Sequence, residues 1–229
     1  MIERGKHSLR YVNYRNYDLA VCRTIHEKVA CRNLSYEQLQ TSDYNLRSLA
    51  YVKERLDDVR RHVYISASDK LNQTLVGAFR VEPDLNISQW SNLNSELMEY
   101  YSSGHRLVGA SAYYVNRVHA FKNLIFEGLV TVLIRYLRET SVDGIYIEVK
   151  PSEMENYISI GFIAASDPFS VSGWDTAWQA MFMQLNGAPE RYADIEFQNS
   201  WRENTGVALK TEFWRRIIER VNSNDGWIS

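Results

Sequence analysis

A tyrosine in the last third of the chain has a spacing that suits catalysis. Tyr157 lies six residues after Pro151 and four residues before the pair Gly161-Phe162. A phenol can donate a proton to a departing group, so a tyrosine beside a reacting centre can act as a general acid. A tyrosine that only packs a short helix against a sheet would occupy the same position, and the sequence leaves this alternative open.

Two carboxylates and one guanidinium are candidates for proton transfer and anion binding. Glu148 and Glu82 each stand near the end of an apolar segment, and either could remove a proton from a substrate, directly or through water. Arg80 could hold a substrate carboxylate through two parallel hydrogen bonds. Ordinary alternatives exist, because surface carboxylates are abundant and Arg80 could form a surface ion pair with Glu82 or Asp84.

The segment 116–123 precedes a long helical pattern and carries basic side chains. The first turn of a helix presents backbone N–H groups without intrahelical partners, and the helix dipole favours an anion there. Arg117, Lys122 and Asn123 are therefore candidates for binding a phosphate group. A solvated basic turn is the alternative.

Hydrophobic periodicity predicts a mixed α/β chain, because helices repeat every three to four residues and strands alternate. The predicted helices span 17–30, 43–61, 88–101, 120–139, 153–160, 189–203 and 211–222. The predicted strands begin near residue 9 and then span 62–68, 75–81, 106–115, 145–149, 162–169 and 177–185. The pair 62–68 and 75–81 is predicted to form a hairpin. Such an order folds as a mixed sheet flanked by helices.

Composition narrows the class of protein. The 229 residues are 45% hydrophobic and 24% charged, with a net charge of −2, which is typical of a soluble globular chain. A nucleic-acid-binding protein would need a surplus of Lys and Arg that this chain lacks. Met1–Arg10 is polar and basic, and no apolar run reaches the length of a membrane span. We therefore expect a cytoplasmic protein.

The cysteines and histidines suggest no metal chemistry. His26, His62 and His119 lack metal-ligand spacing, so we expect no metal site. Cys22 and Cys31 both fall within or next to the helix predicted at 17–30. A disulfide between positions so far apart on one helix is sterically implausible, so we expect two reduced thiols.

The order of elements and one local motif resemble the GNAT fold of N-acyltransferases. The motif is Val149-Lys150-Pro151 followed by the segment Asn156-Tyr157-Ile158-Ser159-Ile160-Gly161-Phe162. A tyrosine four residues before Gly-Phe, directly after the fifth strand, is common in GNAT proteins. The proline six residues earlier is similar to the long-chain N-acyl amino acid synthases and, more distantly, the acyl-homoserine lactone synthases. The implied fold class is a largely antiparallel α/β sheet flanked by helices, with extra C-terminal helices.

The resemblance implies transfer of an acyl group, of long chain as in that subset, from a thioester to an amine. The donor would be acyl-CoA or acyl-phosphopantetheine on an acyl-carrier protein, without a metal, and the acceptor an amino acid or similar small molecule. Tyr157 would protonate the departing sulfur, and small residues in the strand 109–115 would let pantetheine reach the backbone. The donor-binding candidates on this strand are Ser111, Ala112, Tyr113, Tyr114 and Val115.

One feature departs from the common GNAT pattern. The segment 116–122 contains no glycine, so the usual Gly-rich phosphate turn is missing, which favours a carrier-protein donor or a catalytically inactive binding module over an ordinary acetyl-CoA N-acetyltransferase. Four tryptophans in the last third could line an acyl tunnel or an interface, although core packing is the favoured interpretation: Trp174, Trp178, Trp201 and Trp214. We expect a catalytic domain over 1–187 and a C-terminal helical extension over 188–229 packed on the same domain.

Overall fold

The computed structural model describes residues 9–14, 16–40, 59–83, 85–87, 92–115, 122–171, 176–187 and 189–228. Within these ranges the fold is built on one sheet with the strand order β10-β1-β2-β3-β4-β5-β6-β9-β7, and β8 pairs with β9. The strands are β1 Arg10–Tyr14, β2 Tyr17–Val21, β3 Val63–Asp69, β4 Leu75–Glu82, β5 Leu107–Val115, β6 Gly144–Val149, β7 Ile163–Ala164, β8 Phe169–Ser170, β9 Ala177–Gln184 and β10 Trp227–Ile228.

Six α-helices accompany the sheet in the described ranges. They are α1 Ile25–Gln40, α2 Ser95–Ser102, α3 Lys122–Glu139, α4 Met154–Ile158, α5 Ile195–Thr205 and α6 Thr211–Asn222. A 3-10 turn, Pro151–Glu153, leads into α4, and a second, Glu190–Ala193, precedes α5. Among the described strand pairs only β5 with β6 is parallel. The predicted fold class, a largely antiparallel mixed sheet with helices, is confirmed.

The two faces of the sheet carry different helices. The face that packs against α3 and α6, here called the α3 face, holds the largest described apolar cluster, which includes Leu129, Ile147 and Ile217. The opposite face, here called the α1 face, packs against α1 and α2. Because successive residues of a strand point to opposite faces, Phe79 and Val81 lie on the α3 face, whereas Ala78 and Arg80 lie on the α1 face.

The N-terminal region differs from the prediction. Residues 17–30 were expected to form one helix, but Tyr17–Val21 is strand β2, paired along its length with β3, and α1 begins only at Ile25. Tyr17, Leu19 and Val21 are buried in strict alternation. Cross-strand pairing on a buried face therefore decides the structure of this segment. The helical spacing of the same apolar residues predicted the wrong element.

Other predicted boundaries shift by smaller amounts. The helix expected at 88–101 begins at Ser95, because the side chain of Asn94 caps it by accepting a hydrogen bond from the Leu97 backbone N–H at 3.0 Å. The strand expected at 162–169 is two short strands, β7 and β8. Most of the helix predicted at 43–61 lies outside the described residues, as does the cap predicted at Ser88.

Helix α6 is fixed to α3 by a buried carboxylate. Glu127 of α3 is 6% exposed and accepts hydrogen bonds from Arg216 at 2.8 Å and from Arg220. The guanidinium of Arg220 also lies 5.0 Å from the centre of the Tyr14 ring, in the range of a cation–π contact. Burial alone would raise the pKa of Glu127, but the two arginines outweigh it and hold that pKa below its usual range.

Candidate active site

Strands β5 and β6 separate part of the way along their length. Their parallel pairing runs from Leu107 opposite Gly144 to Gly109 opposite Tyr146. Beyond that point β5 continues to Val115 and β6 to Val149, and the described register contains no further pair between them. On its other edge β5 stays paired with β4 as far as Val115. The backbone of β5 after Gly109 therefore faces an opening in the sheet.

A cavity of about 560 Å³ occupies this opening, which is within the range of small-molecule sites. Its lining comes from both faces of the sheet: Ala110 points to the α3 face, and Ser111 points to the α1 face. The apolar wall on the α3 face includes Phe79, Phe126, Val130, Leu133, Ile134 and Trp214. The polar lining includes Ser111, Glu148, Glu153, Asn156, Tyr157 and Lys210. The cavity thus joins an apolar chamber to a polar region through the sheet.

Tyr157 lies in the wall of this cavity, where β6 leads through the 3-10 turn into α4. Its carbonyl oxygen accepts hydrogen bonds from the N–H groups of Ile160 at 3.0 Å and Phe162 at 3.1 Å. Its ring meets the Phe162 ring edge-on, with 5.9 Å between centroids. Gly161 between them has a φ of +96°, a left-handed conformation that favours glycine. The Gly-Phe spacing thus has a local structural reason, and it holds the tyrosine in place.

The C-terminal segment binds three consecutive carbonyls of this motif. The Lys210 backbone N–H donates to the oxygen of Ser159 at 2.7 Å. The indole N–H of Trp214 donates to the oxygen of Ile160 at 3.2 Å, and the Tyr192 hydroxyl donates to the oxygen of Gly161 at 3.4 Å. These contacts position α4. They also bring Lys210 and Trp214 to the cavity that residues of β5 line.

Glu148 lies in the cavity wall on the α1 face. The hydroxyl of Tyr146 donates to its Oε1 at 3.3 Å. Glu82, the second candidate base, is exposed at the end of β4, opposite Gly109 of β5, and is not among the described residues that line the cavity. Of the two candidate bases, Glu148 is therefore the one that lines the same cavity as Tyr157.

Arg80 is buried in the sheet and does not lie at the surface. It is 8% exposed, and its Nε donates to the hydroxyl of Ser111 at 3.0 Å. Tyr64 of β3 lies opposite Arg80 in the sheet register, and Arg80 lies opposite Ser111. Tyr64, Arg80 and Ser111 thus form a row across three strands on the α1 face, ending at the cavity. Burial raises the pKa of Tyr64 to about 12, so its hydroxyl stays protonated.

The remaining predicted site residues are only partly described. Arg117 and Trp174 lie outside the described residues. Ala112 and Tyr113 belong to β5, and Lys122 and Asn123 form the start of α3, but the structure describes only the backbone of these four. Tyr114 lines the cavity, and Val115 is buried in the core of the α3 face. Within the described ranges no group of three or more His, Cys, Asp or Glu side chains could hold a metal ion.

The sequence did not single out two cavity residues, Lys210 and Val130. Both line the cavity, and the backbone hydrogen bond from Lys210 to Ser159 joins segments far apart in the chain. Trp178 and Trp214, for which the sequence left tunnel lining and core packing open, also line the cavity. The apolar spacing of Trp214, Ile217 and Val221 along α6 was a usable signal, because it predicts a helix face that must pack against something.

Neither a protein-family model nor a curated protein sequence matches the chain. Solved structures do match. FeeM, an N-acyl amino acid synthase from uncultured soil microbes, superposes with a TM-score of 0.59 at 14% identity, over 74% of this chain and 91% of that chain. An uncharacterized protein from Bacillus halodurans gives a TM-score of 0.54 at 12% identity, over 88% of this chain and 98% of that chain.

A mutant of the spermidine N-acetyltransferase SpeG from Vibrio cholerae gives a TM-score of 0.50 at 13% identity, over 78% of this chain and 99% of that chain. At these identities the similarity shows the fold. Together with the separation of β5 from β6, it establishes that the chain has the GNAT fold, as the motif around Tyr157 suggested. In the described residues no helix has the length and apolar character needed to cross a membrane.

Proposed function

We propose that the protein is an N-acyltransferase that moves an acyl group, of long chain, from an acyl-carrier-protein or acyl-CoA thioester to the amine of an amino acid or similar small molecule. The observation that carries this proposal is the cavity through the sheet, which joins an apolar chamber, a tyrosine and a polar row of side chains. Fold alone does not establish function, so the residues of this site are what support the proposed activity.

The apolar chamber supports a long acyl chain. Phe126, Val130 and Leu133 of α3 line the cavity together with Trp214 of α6, and burying apolar surface there would favour a hydrocarbon over an acetyl group. An N-acyl amino acid synthase is among the proteins of similar fold, which supports the same substrate class.

The opening between β5 and β6 supports binding of the pantetheine arm. Backbone groups of β5 beyond Gly109 face the opening, and Ala110 and Ser111 are small enough to let a ligand approach them. N–H groups aimed at the thioester carbonyl would stabilise the negative charge that develops on its oxygen. The phosphate would lie near the start of α3, where Arg117, Lys122 and Asn123 remain candidates.

Tyr157 and Glu148 are the proposed catalytic residues. Tyr157 would donate its proton to the sulfur as the thiolate leaves, and Glu148 would take a proton from the attacking ammonium, directly or through water. Both side chains line the same cavity. Glu82 is the weaker candidate, because it is exposed and is not among the described residues that line the cavity.

Arg80 is proposed to recognise the acceptor. A buried guanidinium bonded to a residue of the cavity wall offers a planar set of donors that suits a carboxylate. Ser111 links this row to the cavity, so an amino acid whose carboxylate lies near Arg80 would present its amine towards Tyr157 and Glu148.

The experiment is mass spectrometry of product mixtures. Purified protein would be incubated with acetyl-CoA, palmitoyl-CoA or palmitoyl-carrier protein, each with a pool of amino acids. We expect long-chain N-acyl amino acids, and we expect Tyr157→Phe to lower their rate of formation by about 10²- to 10⁴-fold. Tyr101→Phe is the matched control, because Tyr101 packs with the cluster around α2 and is not part of the described lining.

The outcomes separate three functions. A long-chain product that falls only in the Tyr157 variant supports the proposal and its general acid. Acetylated product alone would replace it with an acetyl-CoA-dependent N-acetyltransferase. Folded protein that transfers no acyl group from any donor would make the chain a GNAT-shaped binding module.

A further inference from the structure

The two cysteines of the chain lie side by side although they belong to different elements. Cys22 follows the end of β2, where its backbone N–H donates to the oxygen of Tyr64 in β3 at 2.8 Å. Cys31 lies on α1, nine residues further on. Their sulfurs are 3.6 Å apart, so the expectation that both residues lie on one helix, too far apart to be joined, is wrong. The helix begins after Cys22, and the chain folds back to bring Cys31 beside it.

We propose that Cys22 and Cys31 are a redox-active thiol pair that closes to an intramolecular disulfide in the presence of a peroxide. A disulfide bond is about 2.05 Å long, so the sulfurs need to approach by about 1.5 Å from their present 3.6 Å. A side-chain rotation with a small shift of the first turns of α1 can supply this movement. The inference does not depend on the proposed acyltransferase function.

The surroundings assign the two cysteines different roles. A hydrogen bond from Cys31 lowers the pKa of Cys22, and this effect exceeds that of burial. The same hydrogen bond, with burial, raises the pKa of Cys31. The thiolate is the nucleophilic form, so this direction favours Cys22 as the attacking sulfur. Cys22 is also the more accessible of the two, at 6% exposed against 1% for Cys31, which suits a small oxidant rather than a bulky one.

Hydrogen peroxide would oxidise the thiol pair to a disulfide in two steps. The Cys22 thiolate attacks one peroxide oxygen and breaks the O–O bond, which gives a sulfenic acid and hydroxide. The Cys31 sulfur then attacks the Cys22 sulfur and displaces its oxygen, which leaves as water once protonated. The two thiols lose two electrons in total, and one peroxide is reduced to two waters.

The bond would connect α1 to the β2–β3 part of the sheet. Both cysteines pack in one cluster with Leu34, Tyr64 and Ala78, on the face that carries the row from Tyr64 through Arg80 to Ser111. The disulfide would therefore form behind the acceptor side of the cavity and outside its described lining.

The test uses the full chain, whose two cysteines are the only ones in the sequence. Reduced protein would be exposed to hydrogen peroxide and then unfolded in the presence of a maleimide, which labels any remaining thiol. Its mass would then be measured by intact mass spectrometry. We expect a monomer that has lost two hydrogens and carries no maleimide, and we expect a dithiol reductant to restore two reactive thiols. Two maleimides on the peroxide-treated protein, sulfinic acids at both sites, or a disulfide between two chains would each overturn the proposal.

Two variants test the order of attack. Cys31→Ser should accumulate a sulfenic acid at Cys22 that a dimedone probe captures, whereas Cys22→Ser should give little adduct at Cys31. The reverse pattern would overturn the assignment of the attacking sulfur. If either variant fails to fold, the experiment on the unmodified chain still decides whether the pair closes, because it needs no substitution.

Discussion

The indole N–H of Trp214 donates to the carbonyl oxygen of Ile160 at 3.2 Å, which ties helix α6 to the turn that holds Tyr157. The next carbonyl, that of Gly161, accepts from the Tyr192 hydroxyl. The C-terminal helices therefore take part in shaping the candidate active site. A change in this turn should affect stability and activity together.

Gly161→Ala is expected to destabilise the protein by about 3 kcal/mol. Adopting the left-handed conformation costs a non-glycine residue roughly 1–2 kcal/mol, and a Cβ at Gly161 would run into the ring and hydroxyl of Tyr192, which adds an overpacking cost of about 1–3 kcal/mol. Urea unfolding measures the difference. The matched control is Gly206→Ala, where φ is also positive, at +73°, but no atom lies within 4 Å of the added methyl. Equal losses in both variants would contradict a steric role for Tyr192.

Arg80→Lys is expected to weaken binding of acceptors that carry a carboxylate. Lysine keeps the charge but lacks the planar fork of donors, so we expect the KM for an amino acid to rise by about tenfold with a smaller change in kcat. The comparison substrate is the corresponding amine without its carboxylate. A KM that rises equally for both acceptors would show that Arg80 maintains the cavity and does not recognise the acid.

Ser111→Ala is the companion variant for Arg80. It removes the hydroxyl that accepts from Arg80 Nε and leaves the guanidinium in place. We expect a smaller rise in KM than for Arg80→Lys, again confined to acceptors with a carboxylate. Thermal unfolding of both variants would separate loss of binding from loss of folded protein.

The sheet from β3 to β6 and the long helix α3 could be predicted because each shows one dominant periodicity. Strand β2 could not, since Leu19, Ala20 and Cys22 fit a helical spacing with Ile25 as well as a strand, and only pairing with β3 decides between them. Tyr157 became a candidate through its spacing from Gly161, and it lines the cavity. Contacts such as those of Arg80 with Ser111 and of Trp214 with Ile160 join residues far apart in sequence, so no local pattern contains them.

Glu127→Gln is expected to lower stability in a pH-dependent way. The pKa of Glu127 is held below its usual range by Arg216 and Arg220, so its stabilising effect is present above the unfolded-state value of about 4.3 and is lost as pH falls through the lower folded-state value. We expect a loss of about 1–3 kcal/mol at neutral pH, because removing one member of a buried ion pair leaves the others without full compensation.

Urea unfolding at neutral pH and near pH 3 checks this prediction, because the difference between Glu127→Gln and the unmodified protein should shrink in acid. The matched control is Glu139→Gln on the same helix. Glu139 is exposed and pairs with Arg135 one turn away, so its loss should cost less than about 0.5 kcal/mol. A constant difference across pH would contradict the role of the Glu127 charge.

Val130→Phe is expected to change which acyl groups the protein accepts. Val130 of α3 is part of the apolar wall of the cavity, so a phenyl ring there would fill space that a long acyl chain needs. We expect turnover of palmitoyl donors to fall at least about tenfold relative to acetyl-CoA, which corresponds to about 1.4 kcal/mol of lost binding in the transition state. Val130→Ala, which enlarges the same wall, should leave the long-chain preference in place. Rates with acetyl, octanoyl and palmitoyl donors, together with a thermal unfolding curve, make the comparison. If the ratio of palmitoyl to acetyl turnover is unchanged in the folded Phe variant, the acyl chain does not lie against α3 and the apolar chamber serves packing alone.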